Sequence, residues 1–248
     1  MSDVEKSRRE ILQAMAAGGA LLLIRCSGAP KDGAGATADY DWNEHYWGYA
    51  VDIAKCIGCC SCMRACKAEN DVPDGNARTW IERYNINAEG EVTVDSAMNE
   101  DFVFGEKPTD AVRSFFLPKI CNHCEKSVCS QVCPVGASYV TKDGVVLVDQ
   151  ERCVGCGYCV QACPYGTRYI HPETHVADKC TLCYHRITKG LKPACVESCP
   201  TGARVFGDLK DPKSTLSEML RERQHQVLRP DLGTHPKCYY VGLDQEVI

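Results

Sequence analysis

The sequence predicts a loop-rich α+β fold that is organised by cysteine side chains more than by a large hydrophobic core. The 248 residues include 19 cysteines, a density near the range of cysteine-built scaffolds. Sixteen of these cysteines form four quartets with short gaps, and only brief apolar runs separate the quartets. Length alone allows one large domain or two ordinary ones. We therefore expect short helices and strands that surround the cysteines.

The quartets share one spacing with two variations. The first and third have the spacing C-x2-C-x2-C-x3-C, the second widens its middle gap to four residues, and the fourth has an eleven-residue gap there. The last cysteine of the second, third and fourth quartets begins a C-P-x-G sequence, in which glycine permits a tight reversal. In chain order the quartets are Cys56, Cys59, Cys62 and Cys66; Cys121, Cys124, Cys129 and Cys133; Cys153, Cys156, Cys159 and Cys163; and Cys180, Cys183, Cys195 and Cys199.

This spacing indicates iron–sulfur clusters. A C-x2-C-x2-C arc directs three thiolates to one cube, and the cysteine beyond the three-residue gap turns away to ligate the neighbouring cluster. Disulfides and structural zinc are the alternatives. Zinc sites usually present two C-x2-C pairs, which does not account for three cysteines two residues apart and a fourth followed by proline.

Short regular elements are predicted between and after the quartets. Apolar and β-branched runs bounded by turn residues favour strands, and the glycine turn at Asp143-Gly144 favours a hairpin between two cluster loops. The predicted strands are Tyr49–Ile53, Glu91–Val94, Val145–Val148, Arg204–Phe206 and one around Cys238, and a helix is predicted around Ser214–Arg223.

Charge and hydropathy exclude two broad classes of protein. The chain has 28 basic and 33 acidic residues, a formal net charge of −5, whereas a nucleic-acid-binding protein normally shows a basic excess. The longest mostly apolar stretch, Ile11 to Ile24, has 14 residues, and a bilayer-spanning helix needs about 20. We expect no nucleic-acid partner and no transmembrane helix. No catalytic residue is predicted, because the sequence has no nucleophile elbow, phosphate-cradling glycine loop or paired-carboxylate site.

From about Tyr46 to Gly242 the chain resembles the four-cluster electron-transfer subunits of the molybdopterin oxidoreductase superfamily. These subunits accompany polysulfide, tetrathionate, dimethyl sulfoxide and nitrite reductases. The strings that carry the resemblance are His45-Tyr46-Trp47-Gly48, Cys66-Lys67-Ala68-Glu69-Asn70, Cys121-Asn122-His123-Cys124, Cys163-Pro164-Tyr165-Gly166, Asp178-Lys179-Cys180, Pro193-Ala194-Cys195, Pro200-Thr201-Gly202-Ala203-Arg204 and Phe206-Gly207-Asp208-Leu209.

The resemblance implies four 4Fe-4S clusters in two ferredoxin-like dicluster modules, with ligands exchanged between quartets. The exchange also agrees with ferredoxin spacing. Cluster A takes Cys56, Cys59, Cys62 and Cys199; cluster B takes Cys66, Cys180, Cys183 and Cys195; cluster C takes Cys121, Cys124, Cys129 and Cys163; cluster D takes Cys133, Cys153, Cys156 and Cys159. Some relatives replace one cysteine and hold a 3Fe-4S cluster. All sixteen positions are cysteine here, so no 3Fe-4S cluster is expected.

The implied function is that of a non-catalytic subunit of a respiratory oxidoreductase complex. It relays single electrons between a molybdopterin-type catalytic subunit and a polytopic, quinone-interacting membrane subunit. A stand-alone polyferredoxin carrier is the alternative, although the insertion and the C-terminal tail argue against it. A catalytic or sensor protein would need an open iron site or a cysteine vacancy, and none is visible.

The quartets divide the chain into five parts. Residues 1–38 form a signal and linker, residues 39–70 with 171–206 form an outer dicluster module, and residues 71–112 form an insertion. Residues 113–170 form a central dicluster module. Residues 207–248 form an extension that is expected to pack on a partner.

The N-terminus indicates export. The sequence Ser7-Arg8-Arg9-Glu10-Ile11-Leu12 approximates the twin-arginine pattern and precedes a short apolar stretch, the order found in export signals. This route exports folded proteins already loaded with cofactor, so we expect the periplasmic face of the membrane. A retained amphipathic helix, with the protein on the cytoplasmic face, is the alternative. Lipidation of Cys26 is a further alternative, although an arginine immediately before the cysteine, Arg25, disfavours lipoprotein processing.

Three further cysteines and several basic residues lie outside the ligand sets. Cys60 and Cys238 are predicted to be bystanders. His123 and His185 could donate hydrogen bonds near the clusters. Six basic residues crowd the ligand positions and could raise cluster potentials by stabilising the more negative, reduced cluster. They are Arg64, Lys67, Arg152, Arg168, Lys179 and Arg186.

Overall fold

The computed structural model describes residues 40–98 and 101–243. Within these ranges eleven strands and six short α-helices surround the cysteine quartets, and no helix there is long and apolar enough to span a membrane. The strands are β1 (Trp47–Asp52), β2 (Thr79–Ile86), β3 (Val92–Ser96), β4 (Arg113–Ile120), β5 (Ser138–Val140), β6 (Val146–Val148), β7 (Arg168–Ile170), β8 (Ala177–Lys179), β9 (Arg204–Asp208), β10 (His225–Gln226) and β11 (Cys238–Val241). The helices are α1 (Ser61–Asn70), α2 (Val128–Gln131), α3 (Tyr158–Ala162), α4 (Tyr184–Ile187), α5 (Ala194–Glu197) and α6 (Thr215–Glu222).

A four-stranded sheet of order β10-β11-β1-β9 joins the two ends of the described chain. Strand β1 pairs in parallel with β11 and antiparallel with β9. The predicted strands in this sheet are therefore confirmed within one or two residues.

The extension after residue 207 contributes to the chain's own fold, and its packing on a partner stays a prediction. It supplies β10 and β11 to the chain's own sheet, and Cys238 and Tyr240 in β11 are fully buried. The physical reason is hydrophobic, since Cys238, Tyr240 and Val241 pack into the core that β1 also lines.

The predicted helix in this extension is confirmed as α6, with Ser214 as its N-cap. The Ser214 hydroxyl accepts a hydrogen bond from the Ser217 N–H at 3.1 Å. The helix rests on Gly48 of β1 and Gly207 of β9, which lie opposite each other in the sheet. A Cβ at either glycine would lie within 2.8 Å of Leu216, which is completely buried. The two glycines therefore allow this close packing.

A second sheet, of order β3-β2-β4, is formed largely by the insertion. The predicted strand at Glu91–Val94 appears as β3, whereas β2 and β4 were not predicted. Strands β2 and β4 pair along eight residues, from Thr79 opposite Ile120 to Ile86 opposite Arg113. Because β4 ends at Ile120, this sheet positions the quartet that begins at Cys121.

Two small hairpins lie between the quartets. Strands β5 and β6 follow Cys133, and strands β7 and β8 follow Cys163. The predicted glycine turn is present, with Gly144 at φ 84° and its N–H donating to the Thr141 carbonyl at 3.0 Å. Short helices carry the third cysteine of three quartets: α2 contains Cys129, α3 contains Cys159 and α5 contains Cys195. The internal repeat thus has a matching repeat in structure.

Candidate iron–sulfur centres

The cysteines of the described residues are arranged neither as disulfides nor as a single-ion site. All eighteen of them are unpaired, and no three His, Cys, Asp or Glu side chains among the described residues converge enough to hold one metal ion. Sulfurs around one zinc ion would be about 3.8 Å apart, given Zn–S bonds of about 2.3 Å. A 4Fe-4S cube attaches each thiolate to a different iron, and this requires a wider arrangement of four sulfurs.

Cys133, Cys153, Cys156 and Cys159 line one cavity, here called site D. Cys133 reaches it from the preceding quartet, across the β5–β6 hairpin. Apolar side chains and backbone form much of the rest of the wall, including Val135, Ala137, Val148, Val154 and Ala177. Cys156 alone is exposed among the cysteines that the structure describes, so site D lies close to the surface.

Cys66, Cys180, Cys183 and Cys195 line a second cavity, here called site B. Cys66 comes from α1 and joins three cysteines of the last quartet. The Asn70 amide lies 3.6 Å from the sulfurs of both Cys66 and Cys183. All four cysteines are buried, whereas only Cys159 is buried at site D.

Two further sites are defined by the proximity of their thiols. Burial raises the pKa of Cys56 to about 11, and the neighbouring thiols of Cys62 and Cys199 act in the same direction. This group, with Cys59, is here called site A. Burial likewise raises the pKa of Cys124 to about 12, with added effects from its three neighbours. These four are here called site C, and the neighbours are Cys121, Cys129 and Cys163.

The C-P-x-G turns present backbone N–H groups to the last cysteine of each quartet in which they occur. Gly136, Gly166 and Gly202 have φ between 63° and 64°, and their N–H groups donate to the carbonyls of Cys133, Cys163 and Cys199 at 3.2–3.3 Å. Burial alone would raise the pKa of Cys133, but hydrogen bonds from several backbone N–H groups lower it overall. The same balance lowers the pKa of Cys199. The loops after Cys133 and Cys199 therefore stabilise thiolates, the form that ligates iron.

Four buried basic residues lie near the sites. Arg168, Lys179, Arg204 and Lys237 are at most 4 % exposed, and no ion pair joins any of them to a carboxylate among the described residues. Nε and Nη1 of Arg168 are buried without a hydrogen-bond partner. A buried cation of this kind is costly unless an anion lies beside it. Thiolate-ligated clusters are anionic, so these residues fit sites that are loaded with clusters.

Thiols of adjacent sites lie close enough for charge interaction. Cys62 of site A interacts with Cys195 of site B, and Cys180 of site B interacts with Cys121 of site C. Cys129 of site C and Cys159 of site D belong to one buried cluster of side chains. These three pairs link site A with B, site B with C, and site C with D.

The predicted basic residues near the ligands differ in burial and in their ion-pair partners. Arg168 and Lys179 are buried, whereas Arg64 is exposed and Arg152 lies near the surface beside Asp149. Lys67 pairs with Asp74, and Arg186 pairs with Glu69 and Glu197. Sequence reasoning missed Arg204 as a residue near the ligands. The signal was available, because Arg204 follows Cys199 by the same number of residues as Arg168 follows Cys163.

The two histidines near the ligands have different roles. His123 is buried, and its pKa is lowered well below the usual value, first by burial and then by nearby cations. Its Nδ1 accepts a hydrogen bond from the Val146 N–H at 3.0 Å. His185 instead pairs with Glu69, with its Nε2 2.6 Å from a carboxylate oxygen. Among the residues that the structure describes, neither ring is hydrogen-bonded to a cysteine sulfur.

The spare thiols pack in the protein interior. Cys60 is 1 % exposed, and its sulfur donates to the Gly58 carbonyl at 3.3 Å. Cys238 is buried in β11. Their role as bystanders stays a prediction. Cys26 and the twin-arginine sequence lie outside the described residues.

Comparison with known proteins defines the class. Residues 112–209 match the 4Fe-4S dicluster domain family. A tetrathionate reductase subunit of Salmonella typhimurium is 44 % identical over 206 residues, covering 82 % of this chain and 75 % of that protein. A putative dimethyl sulfoxide reductase iron-sulfur subunit of Halobacterium salinarum is 38 % identical over 213 residues, covering 79 % of each. A sulfite dehydrogenase subunit of Allochromatium vinosum is 40 % identical over 198 residues, covering 77 % of this chain and 80 % of that protein.

The chain therefore belongs to the iron–sulfur subunits of the molybdopterin oxidoreductase superfamily. It is an electron-transfer subunit whose cofactors are four 4Fe-4S clusters, as the resemblance implied.

Proposed function

We propose that this chain relays single electrons through clusters held at sites A, B, C and D, in that order. The observation that carries the proposal is that thiols of successive sites lie close enough for charge interaction, Cys62 with Cys195, Cys180 with Cys121, and Cys159 with Cys129. A one-electron carrier needs closely spaced cofactors in a fixed order. The clusters supply the redox chemistry, and the protein positions them and sets their potentials.

The proposed ligands of each cluster are the four cysteines of its site. The cavities at sites B and D support this assignment, because each is lined by three cysteines of one quartet and the last cysteine of another. The proposal includes two modules: an outer one from residues 39–70 and 171–206, and a central one from residues 113–170. Sites A and B belong to the outer module, and sites C and D to the central one.

The two ends of the relay are proposed to face partner subunits. At site D, Val154 and Tyr158 flank the exposed Cys156 and are 64 % and 57 % exposed. At site A, Ile57 next to Cys56 is 59 % exposed. Exposed apolar side chains of this kind mark interaction surfaces when they are grouped. The partners we propose are a molybdopterin-type catalytic subunit and a polytopic, quinone-interacting membrane subunit.

The location proposed for the complex is the periplasmic face of the cytoplasmic membrane. Its support is the sequence around Arg8 and Arg9, together with the logic of exporting a protein already loaded with clusters. The cytoplasmic face is the alternative.

Anaerobic affinity purification of the full-length protein from membranes of its native host tests the partners. We expect recovery of a complex that contains molybdopterin and a polytopic membrane protein, and in which a quinol analogue reduces the clusters. Recovery of a soluble, partnerless protein with its clusters intact would instead identify a free carrier.

A further inference from the structure

Two buried arginines occupy the same place in the internal repeat. Each is the fifth residue after the last cysteine of a quartet, in Cys163-Pro164-Tyr165-Gly166-Thr167-Arg168 and Cys199-Pro200-Thr201-Gly202-Ala203-Arg204. Both begin a strand, Arg168 at β7 and Arg204 at β9. The equivalent residue of the second quartet is Ser138, to which Arg168 donates a hydrogen bond at 2.8 Å. The repeat thus places a permanent cation in each of the two modules.

Arg204 lies between sites A and B. Its guanidinium donates to the Tyr49 hydroxyl at 3.1 Å and to Thr79 Oγ1 at 2.9 Å. That tyrosine hydroxyl is 3.4 Å from the sulfur of Cys195, and Thr79 lines the site B cavity.

Arg204 interacts with thiols on both sides. Its charge partners are Cys62 of site A and Cys195 of site B. The guanidinium therefore lies close enough for charge interaction with thiols of two successive sites, and the Tyr49 hydroxyl links it to Cys195.

Arg168 lies in the same way between sites C and D. Its acceptor Ser138 lines the site D cavity, and Cys159 of that site lies close enough for charge interaction with the guanidinium. Cys129 and Cys121 of site C lie close enough for charge interaction. Two guanidinium nitrogens, Nε and Nη1, remain without partners in the buried space.

We propose that Arg204 and Arg168 each raise the reduction potentials of two clusters at once, A with B and C with D. This inference rests on the ligand assignment proposed above. Reduction adds one electron to a cluster and makes it more negative, so a buried cation beside it stabilises the reduced state. Because the cation is shared, it acts on the donor and the acceptor of the same electron step. It therefore stabilises the reduced module without favouring one direction of transfer within it.

Arginine suits this role because it stays protonated in a buried site. The protein interior also screens charge less than water does. Exposed cations near the ligands are screened, so they are expected to have little effect. Arg152, which precedes Cys153 and is 41 % exposed in its side chain, provides the matched control.

The test is an anaerobic redox titration of the full-length, cluster-loaded protein, followed by electron paramagnetic resonance. The variants are Arg168→Gln, Arg204→Gln, Arg168→Lys and Arg152→Gln. Signals are assigned to sites with ligand variants, and iron is counted in every sample. Arg168→Gln should lower the potentials of clusters C and D by at least a tenfold change in their one-electron reduction equilibria, about 59 mV. Clusters A and B should not move. Arg204→Gln should give the reverse pattern.

Arg168→Lys keeps the charge, and Arg152→Gln removes only a screened one. Both variants should shift each of the four potentials by less than about 59 mV. Full iron content with unshifted potentials in the two glutamine variants would overturn this inference while leaving the ligand assignment intact. A potential shift in Arg168→Lys at full iron content would also overturn it, and this variant decides the matter if Arg168→Gln does not assemble. Failure of the ligand assignment itself would appear differently, as wild-type signals that do not respond to the ligand variants of their sites.

Discussion

Gly155, in the loop between Cys153 and Cys156, allows the closest backbone approach at any of the cluster sites. Its φ is +67°, and a Cβ at this position would lie 2.2 Å from the carbonyl oxygen of His175. Gly157, in the same loop, has a φ of +76° and nothing within 4 Å of an added Cβ. Alanine at each position therefore separates steric overlap from backbone strain.

The expected loss of stability in each alanine variant follows from these two effects. A left-handed conformation costs an alanine roughly 1–2 kcal/mol, and both variants carry this cost. Gly155→Ala adds an overlap with a backbone atom, which cannot rotate away, and overpacking of this kind costs about 1–3 kcal/mol. For a chain of this size 1 kcal/mol shifts the unfolding temperature by about 2–4 °C. Gly155→Ala should then unfold roughly 2–12 °C below Gly157→Ala.

The assay is anaerobic thermal unfolding of the cluster-loaded variants at one scan rate, with iron analysis of each preparation. The displaced loop carries two proposed ligands of cluster D, so any iron missing from Gly155→Ala should come from that cluster. Equal unfolding temperatures for the two variants would refute the steric argument. Loss of iron from site B would contradict the placement of this loop.

The remaining predictions concern single elements of the fold and the export signal. Leu216→Ala should lower stability by about 2–5 kcal/mol, because the side chain is completely buried on Gly48 and Gly207, and iron content should stay complete; thermal unfolding and iron analysis measure both. Ser214→Ala should cost about 1 kcal/mol through loss of the N-cap, measured by the same unfolding assay, with Ser96→Ala as a surface-strand control. Replacing Arg8 and Arg9 by lysine should leave the protein in the cytoplasm, and unchanged export in cell fractionation would refute the signal. Cys60→Ser and Cys238→Ser should each leave the iron count unchanged, and a lost cluster in either variant would make that cysteine a ligand.

The sequence was sufficient for the elements whose signal is local. Cysteine gaps of two and three residues, the C-P-x-G turns and the Asp143-Gly144 hairpin depend on conformations within a few residues. The same holds for the helix that Ser214 caps, because the serine and the apolar residues after it define its start. These elements appear in the structure close to their predicted bounds.

Elements formed by distant pairing were missed or misjudged. The insertion strand β2 carries Glu82 and Arg83 at its centre and has no strict alternation, so its pairing with β4 could not be inferred. Strand β11 was recognised as a strand, but its parallel pairing with β1 depends on residues far apart in the chain. The spacing of Arg204 from Cys199 repeats that of Arg168 from Cys163, but its position between two sites emerges only when the last quartet meets the first.

The exchange of ligands between quartets is the central claim, and a pair of substitutions in one quartet tests it. Cys129 and Cys133 lie four residues apart in sequence, yet they are assigned to site C and site D. Anaerobic iron analysis with electron paramagnetic resonance should find four cubane clusters in the wild-type chain. It should then find cluster C altered in Cys129→Ser and cluster D altered in Cys133→Ser. Alteration of the same cluster in both variants, or a wild-type chain with clearly fewer than four clusters, would contradict the account.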